Sequence, residues 1–195
     1  IIPSNTLAQL SEKIEDALKA FHNNYPLRRG MSREQLKSQL GLKANVFDAI
    51  INLLEKNNIL VKIGGELSMD NFEVIFSTEQ QEKINALLKQ FSAQPYSPPS
   101  VKQCAEALGE DLLKALIETN QLIQIAEDIV FQIEIYQEIK EAVVTHIQDN
   151  HSITLAELRD KFDTSRKYAV AVLEYLDQTG ITLRKGDVRQ LRRQN

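Results

Sequence analysis

Residues able to do covalent or metal chemistry are few in this chain, and they are badly spaced for it. The chain has one cysteine, Cys104, and three histidines, His22, His146 and His151. They make no paired Cys/His spacing for zinc and no H-E-x-x-H, and the chain has no G-x-x-x-x-G-K-[ST] phosphate loop. Glu110 and Asp111 are adjacent acids that open a predicted helix, where the macrodipole favours carboxylates, so they read as structural rather than as an acid/base pair. Cys104 lies on an apolar helix face and is expected to be a small buried side chain. The histidines fall at or near the ends of predicted helices, where capping or surface roles are expected. The reading is therefore not an enzyme, with no cofactor and no metal site. What remains is charge: five of the last twelve residues are Arg or Lys, and guanidinium and ammonium groups pair with phosphate oxygens.

That basic end is local. The 195 residues carry 23 basic against 27 acidic side chains, a formal net charge of −4, so the overall field does not announce a polyanion partner. Residues 77–135 hold four basic and nine acidic side chains, whereas from Arg159 onward nine basic face five acidic. A single cysteine makes no internal disulfide and fits a reducing compartment. No apolar run reaches the ~18 residues of a membrane span. The chain is expected to be soluble, cytoplasmic and monomeric, without a membrane partner. It begins at Ile1 rather than Met, and is expected to be part of something longer.

The elements that must position the charge come in three copies of one order: helix, helix, helix, then a short ribbon. In the first copy, Leu7, Leu10, Ile14, Leu18 and Phe21 recur at helical steps behind Thr6 as a cap. Ser32 and Gln35 have the spacing of a capping box ahead of a second helix that stops at Gly41. Val46, Phe47, Ile50, Leu53 and Leu54 mark a third helix, and a ribbon turns at Gly64 and Gly65. The second copy keeps the order, with Pro95, Pro98 and Pro99 breaking the chain after its first helix. In the third, Thr154 and Glu157 form a capping box, Gly180 marks the exit from the third helix and Gly186 the tip of the ribbon. The fold class is mostly α with small β-hairpins: three tandem winged-helix modules, at 1–76, 77–135 (acidic) and 136–195. Modules of ~60 residues bury little apolar surface alone, so neighbours are expected to pack together.

In a winged helix the third helix presents its first turn to a ligand and the wing flanks it. In the last copy those places hold Ser165, Arg166, Lys167 and Tyr168, and Arg184, Lys185, Gly186 and Asp187. Arg159 and Lys161 extend the surface from the second helix, and Arg189 and Arg192 follow the wing. Tyr168 offers a ring that either stacks on a splayed base, as single-stranded RNA is read, or packs on its own core. These residues are the expected RNA-binding set. Arg192 and Arg193 have the alternative of a frayed tail.

Two stretches carry a family likeness. "FHNNYPLRRGMSREQLKSQLG" resembles the H-x-x-x-P-L-x-x-G-x-x-x-E-x-L stretch of the SelB family, the bacterial selenocysteine-specific elongation factors, in their C-terminal extension of tandem winged helices. "SRKYAVAVLEYLDQTGITLRKGDVRQL" is similar to the last winged helix of that family, while the middle copy matches only by position and order. The resemblance implies the last three of four winged helices, lying after a GTP-binding part that carries selenocysteinyl-tRNA. It implies that the last module grips the messenger-RNA hairpin called SECIS, for UGA recoding in protein biosynthesis, and that the ribosome and selenocysteinyl-tRNA are partners through the longer protein. His22, Pro26, Leu27 and Gly30 match the earlier motif and read as structural, with Arg28 and Arg29 beside them within reach of RNA, tRNA or ribosome. The acidic middle copy reads as a spacer. Two other readings stay open: a winged-helix DNA-binding regulator, and a protein-interaction scaffold.

Overall fold

The computed structural model describes residues 4–192. Packing divides the chain into two compact units, 1–76 and 77–195. The first unit runs α1 (Ser4–Asn24), β1 (Met31–Ser32), α2 (Arg33–Leu40), α3 (Ala44–Lys56), β2 (Leu60–Ile63) and β3 (Glu66–Met69). Helix α1 begins before Thr6, which is therefore not its cap. Ser32 does stand at the start of α2 but makes no side-chain cap bond. The first amide of that helix, Arg33 N, donates instead to the Gly65 carbonyl at 3.1 Å. Gly41 ends the helix in the left-handed region, φ +61°, which a residue lacking Cβ adopts without strain. The apolar faces of the three helices close on β2 and β3 around Ile14, Leu18, Phe47, Ile50 and Leu67, all buried.

The second unit repeats the order twice. It runs α4 (Thr78–Ala93), α5 (Val101–Leu108), α6 (Glu110–Glu118), β4 (Leu122–Ala126) and β5 (Ile129–Gln132). It continues with α7 (Ile133–Asn150), β6 (Ile153–Thr154), α8 (Leu155–Lys161), α9 (Arg166–Gln178), β7 (Thr182–Lys185) and β8 (Val188–Leu191). One apolar cluster runs through both repeats, from Ile125, Ile129 and Phe131 of the β4–β5 hairpin to Tyr136, Ile139 and Val143 of α7 and Ala169, Val172 and Leu176 of α9. Neighbouring modules do pack together here. The capping box at Thr154 and Glu157 is present, and Ser77 with Gln80 and Ser100 with Gln103 form two more.

The sheets differ in a way the sequence reading did not foresee. Two-residue strands β1 and β6 each pair antiparallel with the far strand of their hairpin, giving orders β1-β3-β2 and β6-β8-β7, whereas β4-β5 stays two-stranded. Met31 faces Leu67 and Ile153 faces Arg189, each one residue before the cap of the next helix. At that place the middle module has Pro99, before the cap Ser100. A proline has no amide to donate to a ladder, so the third strand does not form. The hairpins share a register through three rungs, after which the middle one shifts between Gln124 and Ala126. Their third rungs are Lys62 with Leu67, Gln124 with Val130, and Arg184 with Arg189.

Candidate nucleic-acid interface

In the last repeat, α8, α9 and the β7–β8 hairpin border a cleft of about 320 Å³ lined by Arg159, Arg166, Arg184 and Arg189, together with Asp187, Thr154, Leu155 and Ala156. Each arginine reaches it for a local reason. Arg159 is in the last turn of α8, where a cation complements the helix dipole, and donates to Asp160 Oδ1 at 2.6 and 2.8 Å. Arg166 is the first residue of α9, whose cap position is Ser165, without a side-chain cap bond. Arg184 is exposed on β7 and its Nε donates to the Gly186 carbonyl at 3.1 Å. Gly186, at φ +61°, makes the two-residue wing turn with Asp187.

Arg189 departs from expectation. It sits on β8 only 7% exposed, where Leu67 and Val130 occupy the same rung of the other hairpins. Its Nε donates to Asp177 Oδ2 at 3.2 Å, while Thr182 Oγ1 donates to Asp177 Oδ1 at 2.6 Å. An arginine in an inward strand position needs such a partner, because an unpaired charge there would carry its full desolvation cost. Arg184 and Arg189 are directly opposed across the ladder, and like charges so placed are destabilising.

The remaining members of the expected set lie elsewhere, so the single basic face divides. Lys167 donates to Asp128 Oδ2 at the tip of the β4–β5 hairpin, at 3.2 Å, and lies 5.7 Å from the centre of the Tyr168 ring. The Lys167 bond, then the Lys102 amide, holds the Asp128 carboxyl below its ordinary value. Tyr168 is not a free stacking platform: its hydroxyl donates to the Pro98 carbonyl at 2.8 Å and its ring meets Phe131 edge-on. Lys161 lines a different groove, with Tyr96, Glu138 and Phe162. Lys185 is exposed beside the wing tip. Arg192 lies at the other end of the hairpin, its amide donating to Ile181 O at 3.0 Å and its side chain beside Gly180. Arg193 lies outside the described residues. Sequence reading missed Asp177, Asp128 and Tyr96 altogether, and read Pro98 only as a chain break, without its bond to Tyr168. The one signal for Asp177 was Arg189 itself, a charge interrupting the apolar alternation of a central strand.

In the first unit, cations of the second helix and of the hairpin are paired internally. Arg33 pairs with Asp48 at 2.5 Å, and Lys62 with Glu55 at 2.6 Å and Asn52 at 2.7 Å. His22 is neither a cap nor a surface residue: it is buried, stacked on Phe72 with ring centres 3.6 Å apart, and its Nε2 accepts from the Met69 amide at 3.3 Å. Burial pushes its pKa down, partly opposed by a hydrogen bond to the backbone of Arg28. Cys104 is buried as expected, and burial pushes its thiol up to about 11, which makes it unreactive.

Residues 16–69 and 145–191 each match a family described as "Elongation factor SelB, winged helix", and together the matches take in about half of the chain. The chain belongs to the SelB winged-helix family. The selenocysteine-specific elongation factor of Desulfomicrobium baculatum is 25% identical to it over 200 residues, 98% of this chain and 32% of that protein. The chain thus spans about a third of the length of the curated SelB relatives it matches. A bacterial selenocysteine-specific elongation factor of known crystal structure aligns at TM-score 0.52 and 19% identity, over 97% of this chain and 30% of that one, a likeness of fold. The mRNA-binding domain of Escherichia coli SelB, solved with SECIS RNA, aligns at TM-score 0.48 and 26% identity, over 60% of this chain and all of that one. Among the described residues no helix of this SelB-family chain is long and apolar enough to cross a membrane, and no cluster of ligating side chains is placed to hold a metal ion.

Proposed function

We propose that residues 136–195 are an RNA-binding winged helix that grips a messenger-RNA hairpin of the SECIS kind, tethering a selenocysteine-specific elongation factor to its message for UGA recoding. Residues 1–76 and 77–135 are two further modules that position it. The observation that carries this reading is the convergence of four arginines, from α8, α9 and both wing strands, on one cleft. Guanidinium groups pair with phosphate oxygens in bidentate fashion, and several on one rigid surface give both affinity and register on a folded RNA. Membership of the SelB family supports this reading of the RNA class, and in it the ribosome and selenocysteinyl-tRNA are partners of the longer protein.

The test is substitution of two of the three exposed cleft arginines. Arg166→Ala and Arg184→Ala are each expected to weaken hairpin binding by about 1–3 kcal/mol and to leave the thermal unfolding curve in place. Gel shifts with a stem-loop RNA and with duplex DNA, at matched salt, read the result. Unchanged RNA affinity in both variants, or equal affinity for the two nucleic acids, removes the proposal.

A further inference from the structure

The segment that leads into α9 and forms its first turn is fastened to the middle module at three points. Thr164 Oγ1 donates to the carbonyl of Tyr96. The Tyr168 hydroxyl donates to the Pro98 carbonyl at 2.8 Å, and its ring packs on Phe131. Lys167 Nζ donates to Asp128, which is itself held in place by accepting the Lys102 amide at 3.4 Å. Tyr96 is tied in turn to the last module, donating to Glu138 Oε1 at 2.7 Å. Thr164 precedes the cap Ser165, and Lys167 and Tyr168 are the second and third residues of α9. Arg166 lies roughly 100° away from its neighbour Lys167 around the axis, and lines the arginine cleft. One side of this turn therefore meets protein while another meets the cleft.

We infer that Thr164, Lys167 and Tyr168 are positioning residues, which lock the first turn of α9 onto the proline turn and hairpin tip of the middle module so that Arg166 is aimed into the cleft. This rests on the RNA reading of that cleft. The middle module is then the mount of the recognition helix, and its acidic Asp128 is productive for RNA binding although it bears the same charge as RNA. A lysine that instead left Asp128 to grip a phosphate would make Asp128 a mask, with the opposite sign of effect on removal.

The experiment uses the full chain and a hairpin RNA selected on it from a random pool, with binding measured across a salt series. Lys167→Met, Asp128→Asn and Tyr168→Phe are each expected to weaken binding about two- to fivefold. The slope of log affinity against log salt stays unchanged, and the Lys167→Met/Asp128→Asn double variant binds no worse than either single one. Arg184→Ala, by contrast, flattens the salt slope by about one. A slope reduced by about one in Lys167→Met overturns the inference while leaving the cleft reading standing, and so does unchanged or tighter binding in Asp128→Asn. If Arg184→Ala changes neither affinity nor slope, the cleft reading falls and the inference with it.

Discussion

At the third rung of the hairpin the first module sets Lys62 against Leu67, and the last sets Arg184 against Arg189. The last-but-one residue of the third helix is an acid in both, Glu55 and Asp177. Glu55 reaches the first strand of its hairpin and pairs with Lys62. Asp177 reaches the second strand and pairs with Arg189, so Arg184 has no carboxylate partner among the described residues. The backbone is shared and the charges have similar places along it. What differs is the strand that the acid neutralises, and this decides whether a hairpin cation is left without a carboxylate. A winged helix is thus not a binding site by virtue of its fold.

The largest expected effect separates the two acids. Asp177→Ala leaves Arg189 charged and nearly buried, and should lower the stability of the 77–195 unit by about 3 kcal/mol, as urea unfolding would record. Glu55→Ala frees an exposed lysine and should cost the first unit less than about 1 kcal/mol. Equal losses would break the contrast. Next in size, the double variant Arg189→Leu/Asp177→Asn gives the last hairpin the rung that the first one has. It should remain within about 1 kcal/mol of the parent in stability, since a buried ion pair is worth little against good apolar packing, yet bind RNA more weakly by about 1 kcal/mol.

The smallest effect concerns pH. His22 stands third from the end of α1, where α7 has the exposed Gln148. Its folded pKa is lowered from 6.5, so the unfolded chain takes the proton first. Its contribution is whole above that value and is lost as pH falls through it toward the folded pKa. Thermal unfolding followed from about pH 7.5 to about pH 5.5 should show the first unit weakening, and His22→Gln should flatten the dependence. A drop of the same size in the second unit would show that His22 is not its source.

Helix order and hairpins were legible because periodicity and glycine turns are local signals: Gly41, Gly180 and Gly186 stand where the chain needs positive φ. The capping box at Thr154 was legible for the same reason, although the same spacing at Ser32 gave no side-chain cap bond. The cleft was half legible. Arg159, Arg166 and Arg184 follow from the positions a winged helix offers, but the hold of Asp177 on Arg189 links residues 12 apart across two elements. The grip of Pro98 on Tyr168 links residues 70 apart. Nothing in local pattern encodes such meetings, so a tyrosine at the right spacing for stacking reads the same as one committed to a neighbour.

Pro98 and Pro99 have an effect beyond their own module. Had that segment joined the sheet as Met31 and Ile153 do, its peptide oxygens would have been drawn toward an adjoining strand. Excluded from any ladder, the Pro98 oxygen stays available, and a phenol from the next repeat claims it. Two imino acids thus withhold a strand from one small sheet and, by the same omission, furnish a rivet between two repeats of the 77–195 unit.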